Sequence, residues 1–207
     1  MSSAQEGWVL DAGNTRIKLA IFRDDKVVQV LTDEAAEKHG RRALDKKQLP
    51  EQMLIAASGE LTPFWNEWSK LCTRNQTDTI QLFHLNAVEG FDLDSSYESM
   101  GTLGLDRAAN ARAVISEDSD SNWLIIDVGT CITTDWVESG TFTGGSIAPG
   151  IDLRLRSMYA GTANLPYPEN WRELAAEGVG LHLGTNTIES LLAGAIGGAN
   201  AELQQRV

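Results

Sequence analysis

The chain alternates short apolar runs with polar or glycine-containing turns, which is typical of an α/β protein. The first such runs, "WVLDAG" at 8–13 and "RIKLAIF" at 16–22, predict a strand hairpin joined tightly at Gly13-Asn14. Three further short runs, each rich in apolar residues, also predict strands: "VVQVL" at 27–31, "MLIAAS" at 53–58 and "TIQLFHL" at 79–85. The charged residues 34–48 predict helix or loop.

Longer segments of helix-forming residues separate these strands. We expect helices over "LTPFWNEWSKLC" at 61–72, with Thr62 as N-cap, and over "GLDRAANARAVI" at 104–115. In the second half, "IDLRLRSMYAGTA" at 151–163 and "TIESLLAGAIGGANAELQQ" at 187–205 also predict helices.

The pattern restarts after "SEDSDSN" at 116–122, an acidic stretch without an apolar residue that predicts a linker. Beyond it, "WLIIDVGTCITTDWV" at 123–137 repeats the design of the first hairpin, since both place Asp-x-Gly followed by Asn or Thr between apolar strands. "GTFTGGSIAPG" at 140–150 predicts a strand that runs into a glycine-rich loop. We therefore predict a duplicated α/β unit, with domains at 1–117 and 118–207 and a cleft between them.

Composition and charge narrow the class of function. Hydrophobic residues make up 42% of the chain and charged residues 22%, as in ordinary globular proteins. A net charge of −12 argues against nucleic acid as a partner, because a phosphate backbone needs a basic face. The two cysteines have no metal-binding spacing, the first residues do not form a secretory signal, and no run reaches the ~20 apolar residues of a membrane span. These features predict a cytoplasmic protein.

The paired Asp-x-Gly hairpins are the first candidate for chemistry. Glycine permits close backbone approach, while the hydroxyls, amides and N–H groups of Asn14, Thr15 and Thr130 can bind phosphate oxygens. A neighbouring carboxylate can hold hydrated Mg²⁺, and Arg16 or Lys18 can meet a phosphate. A single Asp-x-Gly hairpin is more simply explained as a plain Asx turn. Two such hairpins between similar apolar strands favour a nucleotide site. Neither a Walker-A nor a GxGxxG motif is present, which disfavours P-loop and Rossmann sites.

A second candidate is the helix start at Gly104 to Arg107. An aspartate there is stabilised by the helix dipole, so Asp106 suits a general base in phosphoryl transfer, and Arg107 could bind a substrate carboxylate. Taken alone, an N-cap Asp with a surface Arg is the more economical interpretation. The third candidate, "GGSIAPG" at 144–150, reads as a constrained loop or simple turn and gains interest only because it follows the second hairpin.

Four motifs in order and spacing, "DAGNTRIK", "GLDRAANA", "DVGTCITTD" and "GGSIAPGIDLRLRSM", resemble those of type III pantothenate kinases. That family belongs to the superfamily of actin, sugar kinases and chaperone ATPases. The resemblance spans roughly residues 8–200 and implies two ribonuclease-H-like domains. It also implies ATP-dependent phosphorylation of pantothenate to 4'-phosphopantothenate, the first step of coenzyme A biosynthesis.

The resemblance also implies roles for individual residues. The ATP-binding set is Asp11, Ala12, Gly13, Asn14, Thr15, Arg16, Ile17, Lys18 and Thr130. The pantothenate-binding set is Tyr97, Gly104, Leu105, Asp106, Arg107 and Thr187, with Asp106 as the catalytic base. Asp11 would lie near Mg²⁺, and Asp127 would ligate a monovalent cation, K⁺ or NH₄⁺. Members of the family are homodimers.

Two alternatives remain at this point. Family members continue for several tens of residues, through a Thr-Gly-Gly segment on the adenine side, whereas this sequence ends at Val207. The second domain is therefore expected to be incomplete, which leaves room for a non-catalytic or regulatory relative that keeps the fold. A sugar or acetate kinase of the same superfamily is the other alternative, and "GLDR" together with Tyr97 argues against it.

Overall fold

The computed structural model describes residues 6–13, 15–24, 26–57, 59–74, 81–85 and 91–206, and among residues 72–74 and 81–85 only the backbone. The chain divides into two compact units. Unit 1 comprises Met1–Asp92 with Ser99–Ala109, and unit 2 comprises Leu93–Glu98 with Asn110–Val207. The domain boundary at 117/118 and the cleft expected from the sequence stay predictions.

Unit 1 is built on a five-stranded mixed sheet in the order β3-β2-β1-β4-β5. Its strands are β1 (Glu6–Ala12), β2 (Ile17–Arg23), β3 (Lys26–Thr32), β4 (Gln52–Ala57) and β5 (Gln81–Leu85). The first three strands form an antiparallel meander, and β4 and β5 add in parallel on the other side of β1. Helices α1 (Asp33–Lys46) and α2 (Pro63–Arg74) make the connections, and α3 (Leu105–Glu117) starts in this unit.

The core of unit 1 lies where the alternating apolar residues of the sheet meet α1 and α2. Trp8, Leu10 and Ala12 point into it from β1 and are at most 2% exposed. From α2, Trp65 and Trp68 are fully buried, and the rings of Trp8 and Trp68 stack with centroids 5.8 Å apart. Burying aromatic rings of this size dominates the stability of a small core.

Unit 2 has a three-stranded antiparallel sheet in the order β6-β7-β8. Its strands are β6 (Trp123–Val128), β7 (Cys131–Glu138) and β8 (Thr141–Pro149). The helices that follow are α4 (Ile151–Gly161), α5 (Trp171–Ala176), α6 (Thr187–Leu192) and α7 (Gly198–Gln204), with a π-helical turn at Ala193–Gly197 joining the last two. The helix predicted from Thr187 onwards therefore forms, with a local π-helical insertion. A second apolar cluster centres on Leu155, Leu191 and Leu192.

The two units repeat the same hairpin. In each, the aspartate is the penultimate residue of the first strand and pairs across to the second, Asp11 with Lys18 and Asp127 with Thr133. The α/β duplication predicted from the sequence is thus present, and the α/β fold class is confirmed. Within the described residues, however, β6 lies at a sheet edge, whereas β1 is flanked by β4.

This difference in sheet position changes the exposure of matching residues. Ile126 and Val128, which stand at the same places before and after the aspartate as Leu10 and Ala12, are 41% and 61% exposed, while Leu10 and Ala12 are fully buried. An exposed apolar edge strand is a surface that native proteins usually cover or protect.

The glycine-rich segment at 144–150 differs from expectation. The sequence predicts a loop, but β8 continues through it to Pro149. Gly144 lies beside a register shift between Trp136 and Val137 and has a φ of +119°, a conformation that favours glycine. The segment is therefore a bulged strand, and Gly144 provides the backbone conformation that the bulge needs.

No helix in the part of the chain that the structure describes has the length and apolar character needed to cross a membrane.

Replacing Gly40 by alanine tests the packing of α1 against α2. A Cβ there would lie 2.9 Å from Cη2 of Trp65, whose side chain is fully buried. We expect Gly40→Ala to lower the free energy of unfolding by about 1–3 kcal/mol, because overpacking a tight core is destabilising. Urea denaturation followed by tryptophan fluorescence measures this.

The matched control is Gly194→Ala, since a Cβ at Gly194 meets nothing within 4 Å. There the same change is expected to be neutral or stabilising, because alanine favours helix. Equal effects of the two substitutions would contradict the packing described for α1 and α2.

Candidate active site

The turn of the first hairpin is held from two sides. Within it, the Gly13 N–H donates to the Arg16 carbonyl at 3.0 Å, so the connection runs over residues 13–16 and is longer than the predicted Gly13-Asn14 turn. At its end, the Ile17 N–H donates to Oδ1 of Asp33 at 2.9 Å, which anchors the start of β2 to the first residue of α1. Asn14 lies outside the described residues. The N–H groups of Gly13 and Ile17 are therefore engaged by the protein and are not available to a ligand.

The side chains around this turn separate into two groups. Ala12 and Ile17 face the core and are at most 7% exposed, so a ligand could reach only their backbone. Asp11 and Lys18 face outward, are 51% and 57% exposed, and bring their charged groups to 3.9 Å of each other. Thr15 and Arg16 are also exposed. The hairpin therefore presents one carboxylate with cationic neighbours, a combination suited to a metal–phosphate ligand.

The start of α3 orders Asp106 and Arg107 in different ways. Oδ1 of Asp106 accepts the Arg107 N–H at 2.8 Å, capping the helix, while Oδ2 has no hydrogen-bond partner among the described residues. The absence of a side chain at Gly104 makes room for this rotamer, since a Cβ at that position would lie 2.5 Å from Oδ1 of Asp106 and would displace it. Leu105, the first residue of the helix, is half-buried.

Arg107 is only 5% exposed, so the economical interpretation of a surface arginine is wrong. A buried guanidinium keeps its charge and must be matched by hydrogen-bond acceptors or anions.

In unit 2 the second hairpin is joined to α4. The turn at Gly129 and Thr130 follows the half-buried Asp127, and the Gly150 N–H donates to the Thr130 carbonyl at 2.9 Å. Gly150 is the N-cap of α4, and a Cβ there would clash with Gly129 O and lie 2.6 Å from Thr130 O. The exposed Thr130 side chain is thus carried on a turn whose backbone is pressed against the first turn of a helix.

Tyr97 is fixed on β8. Its N–H donates to Oγ of Ser95 at 2.9 Å, and its ring meets that of Phe142 edge-on at 5.7 Å. The absence of a side chain at Gly144 makes room for the ring, because a Cβ there would lie 3.2 Å from Cδ2 of Tyr97. The bulge in β8 therefore makes room for the ring of Tyr97, a residue predicted to bind the substrate.

Thr187 begins α6 at the rim of a cavity of about 420 Å³. The loop before it is rigidly capped, with the Asn186 side chain accepting the Glu189 N–H at 3.0 Å and Glu189 accepting from the Thr185 N–H at 2.8 Å. Apolar and polar side chains share the lining, which comprises Met158, Leu165, Gly184, Thr185, Asn186, Thr187, Ser190 and Leu191. A cavity of this kind suits a small ligand with an apolar body and polar ends.

The carboxylates of the candidate site can bind a metal ion only together with a bound ligand. Within the residues that the structure describes, no three His, Cys, Asp or Glu side chains cluster as a metal site. Mg²⁺ commonly takes one or two carboxylates together with substrate phosphates, so the exposed Asp11 alone is a sufficient protein ligand for that mode.

Sequence comparison identifies the family. Residues 8–207 match the family model described as type III pantothenate kinase. The chain belongs to the type III pantothenate kinase family. The resemblance inferred from the four motifs is thereby confirmed.

Individual members of the family are similar in sequence to this chain over most of its length. The type III pantothenate kinase of Flavobacterium psychrophilum is 27% identical over 198 residues, covering 94% of this chain and 77% of that protein. That of Christiangramia forsetii is 29% identical over 202 residues, covering 95% and 76%.

Among solved structures, a Campylobacter jejuni protein assigned to the Baf family of transcriptional activators is similar in fold. It superimposes with a TM-score of 0.55 at 17% identity, over 97% of this chain and 79% of that one. At this identity the likeness concerns the fold alone.

Two structurally important aspartates escaped the sequence analysis. Asp33 lies between the predicted strand at 27–31 and the charged segment at 34–48, and nothing in its neighbourhood indicates a bond to Ile17. The sequence places Asp152 only in a predicted helix, although Arg156 four residues later is a sign of an ion pair along that helix.

Replacing Gly150 by alanine tests the junction between the second hairpin and α4. Because the Cβ would meet backbone carbonyls, which have no rotamer to escape to, we expect a loss of unfolding free energy at the upper end of about 1–3 kcal/mol. Urea denaturation and hydrogen exchange of the α4 amides measure the effect. Gly161→Ala at the other end of the same helix is the control, as its Cβ would meet nothing within 4 Å. Similar stabilities of the two variants would refute the close approach.

Proposed function

We propose that this protein transfers the γ-phosphoryl group of ATP to the primary hydroxyl of pantothenate, giving 4'-phosphopantothenate and ADP. The observation that carries the proposal is the match of residues 8–207 to the type III pantothenate kinase family. The start of α3 supports it locally, because it combines a carboxylate that has one oxygen available with a buried guanidinium on the next residue.

Asp106 acts as the base in this scheme. Its Oδ1 is engaged by the Arg107 N–H, so Oδ2 receives the proton of the substrate hydroxyl. The hydroxyl oxygen then forms the new bond to the γ-phosphorus, and the bond from that phosphorus to the bridging oxygen breaks to release ADP. Positioning supplies most of the rate in phosphoryl transfer, so the fixed rotamer of Asp106 matters as much as its basicity.

The pantothenate-binding residues follow from their chemistry. Arg107 binds the pantothenate carboxylate, since a guanidinium matches a carboxylate with two parallel hydrogen bonds. Gly104 and Leu105 belong to the same helix start, and the family resemblance adds the ring of Tyr97 and the hydroxyl of Thr187 to the pantothenate-binding set.

The ATP-binding residues are those of the two hairpin turns. Lys18, Arg16, Thr15 and the turn backbone meet phosphate oxygens, and Thr130 contacts the nucleotide from the second hairpin. Asp11 holds Mg²⁺ together with the phosphates.

Two further proposals concern the cation and the assembly. Asp127, whose side chain is half-buried, ligates a monovalent cation, K⁺ or NH₄⁺, as the resemblance implies. The protein assembles as a homodimer, as the resemblance implies.

A coupled assay of ADP release tests the activity. We expect turnover that requires pantothenate, is abolished when Mg²⁺ is chelated, and rises when Na⁺ is replaced by K⁺ or NH₄⁺. Light scattering during gel filtration reports the dimer on the same sample. Pantothenate binding without ATP binding or turnover would favour the non-catalytic alternative. Turnover with a sugar or acetate in place of pantothenate would favour another kinase of the superfamily.

Asp106→Asn tests the base. The amide still caps the helix but accepts protons poorly, so we expect kcat to fall by about 10²-fold or more with ATP affinity unchanged. Steady-state kinetics and calorimetric titration with ATP measure the two quantities. Asp120→Asn, in the exposed acidic segment between α3 and β6, is the control and should behave as wild type. A parallel loss of ATP affinity in Asp106→Asn would contradict the assigned role.

A further inference from the structure

We propose that Asp152 is a positioning residue for the acceptor substrate. Asp152 holds the segment between α4 and α5 so that Leu165 forms a wall of the cavity at Thr187. This inference rests on the proposed function, because it assigns the cavity to pantothenate.

Asp152 accepts hydrogen bonds from three side chains. Its Oδ1 accepts from Tyr167 Oη at 2.6 Å and from Trp171 Nε1 at 3.0 Å, and its Oδ2 accepts from Arg156 Nε at 2.6 Å. The guanidinium of Arg156 also lies over the ring of Tyr167, 4.7 Å from its centroid. An ordinary surface ion pair along a helix would involve Arg156 alone. Here the carboxylate also engages two residues at the far end of the following segment.

The segment from Thr162 to Trp171 is therefore held at both ends with Leu165 between. At its start, Thr162 Oγ1 donates to the Met158 carbonyl at 2.8 Å and accepts the Leu165 N–H at 3.3 Å. At its end, Tyr167 and Trp171 bind Asp152. Met158 and Leu165 both line the cavity that contains Thr187. The geometry thus connects the Asp152 carboxylate to a cavity wall through a short, doubly anchored segment.

The ionisation states keep this arrangement intact at neutral pH. The hydrogen bond from Tyr167, followed by those from Arg156 and Trp171, lowers the pKa of Asp152 to about 2 despite an opposing effect of burial. Burial, and then the bond to Asp152, raises the pKa of Tyr167, so its phenol stays a donor. Because the folded pKa of Asp152 lies below its ordinary value, its contribution to stability is complete above about pH 4 and is lost as pH falls towards 2.

Asp152→Asn and Tyr167→Phe test the inference by steady-state kinetics. The first keeps one acceptor but turns a donor towards Arg156, and the second removes only the phenol. We expect KM for pantothenate to rise about ten-fold in Asp152→Asn and less in Tyr167→Phe, while kcat and KM for ATP change by no more than about two-fold. Glu202→Gln is the matched control. Glu202, on α7, pairs with Arg154, which lies on the same helix as Asp152, and Glu202 touches neither the segment nor the cavity.

A spectroscopic readout follows the network without turnover. In an ultraviolet titration of tyrosine ionisation, Asp152→Asn should move one of the three tyrosines to lower pH, and that transition should be missing in Tyr167→Phe. An unchanged tyrosine titration would overturn the network.

The kinetic outcomes are equally decisive. Unchanged KM for pantothenate, an equal rise in KM for ATP, or the same change in Glu202→Gln would overturn the positioning role. A wild-type protein without pantothenate-dependent turnover would overturn the proposed function and this inference with it. If Asp152→Asn fails to fold, Tyr167→Phe alone decides by the same split between the two KM values.

Discussion

The close approach of Gly150 to the turn at Gly129 and Thr130 determines the arrangement of unit 2. Because no side chain can fit between the start of α4 and the backbone of that turn, the helix begins at one place relative to the hairpin. From there α4 carries Asp152 and Leu155. Asp152 binds the far end of the segment from Thr162 to Trp171, and Leu155 lies in the second apolar cluster. The cavity at Thr187 lies at the end of this series of contacts. Unit 1 makes the equivalent connection with a side chain, since Asp33 at the start of α1 accepts the N–H of Ile17.

The hairpins show how far the sequence can go. Alternating apolar residues around Asp11 and Asp127 predict both strand pairs, and their repetition predicts the duplicated fold, because periodicity directly reflects which face of a strand is buried. The same reasoning fails for Asp33 and Asp152. An aspartate in a polar segment looks alike whether it is solvated or bonded to a residue that is distant in the chain. The bulged strand at Gly144 was missed for a related reason, since glycine signals a special backbone conformation without specifying which one.

Asp106 and Arg107 illustrate what burial adds to a motif. From the sequence, both were compatible with an ordinary helix start. Among the residues that the structure describes, one oxygen of Asp106 has no hydrogen-bond partner, whereas the neighbouring guanidinium is almost completely buried, so two adjacent charged residues have opposite environments. Gly104 enforces this, because any larger residue would displace the Asp106 side chain from its cap. A helix start is thereby able to offer a base and a cation in fixed relative positions.

The tryptophans provide an optical label for each unit. Trp8, Trp65 and Trp68 lie in unit 1, whereas Trp123, Trp136 and Trp171 lie in unit 2. The indole N–H groups of Trp65 and Trp68 are buried and find no acceptor among the described residues, which gives them an apolar, weakly interacting environment. All three tryptophans of unit 2 are partly exposed. The blue edge of the fluorescence spectrum therefore reports chiefly on unit 1 and the red edge on unit 2, so the loss of order in each can be followed separately in one sample.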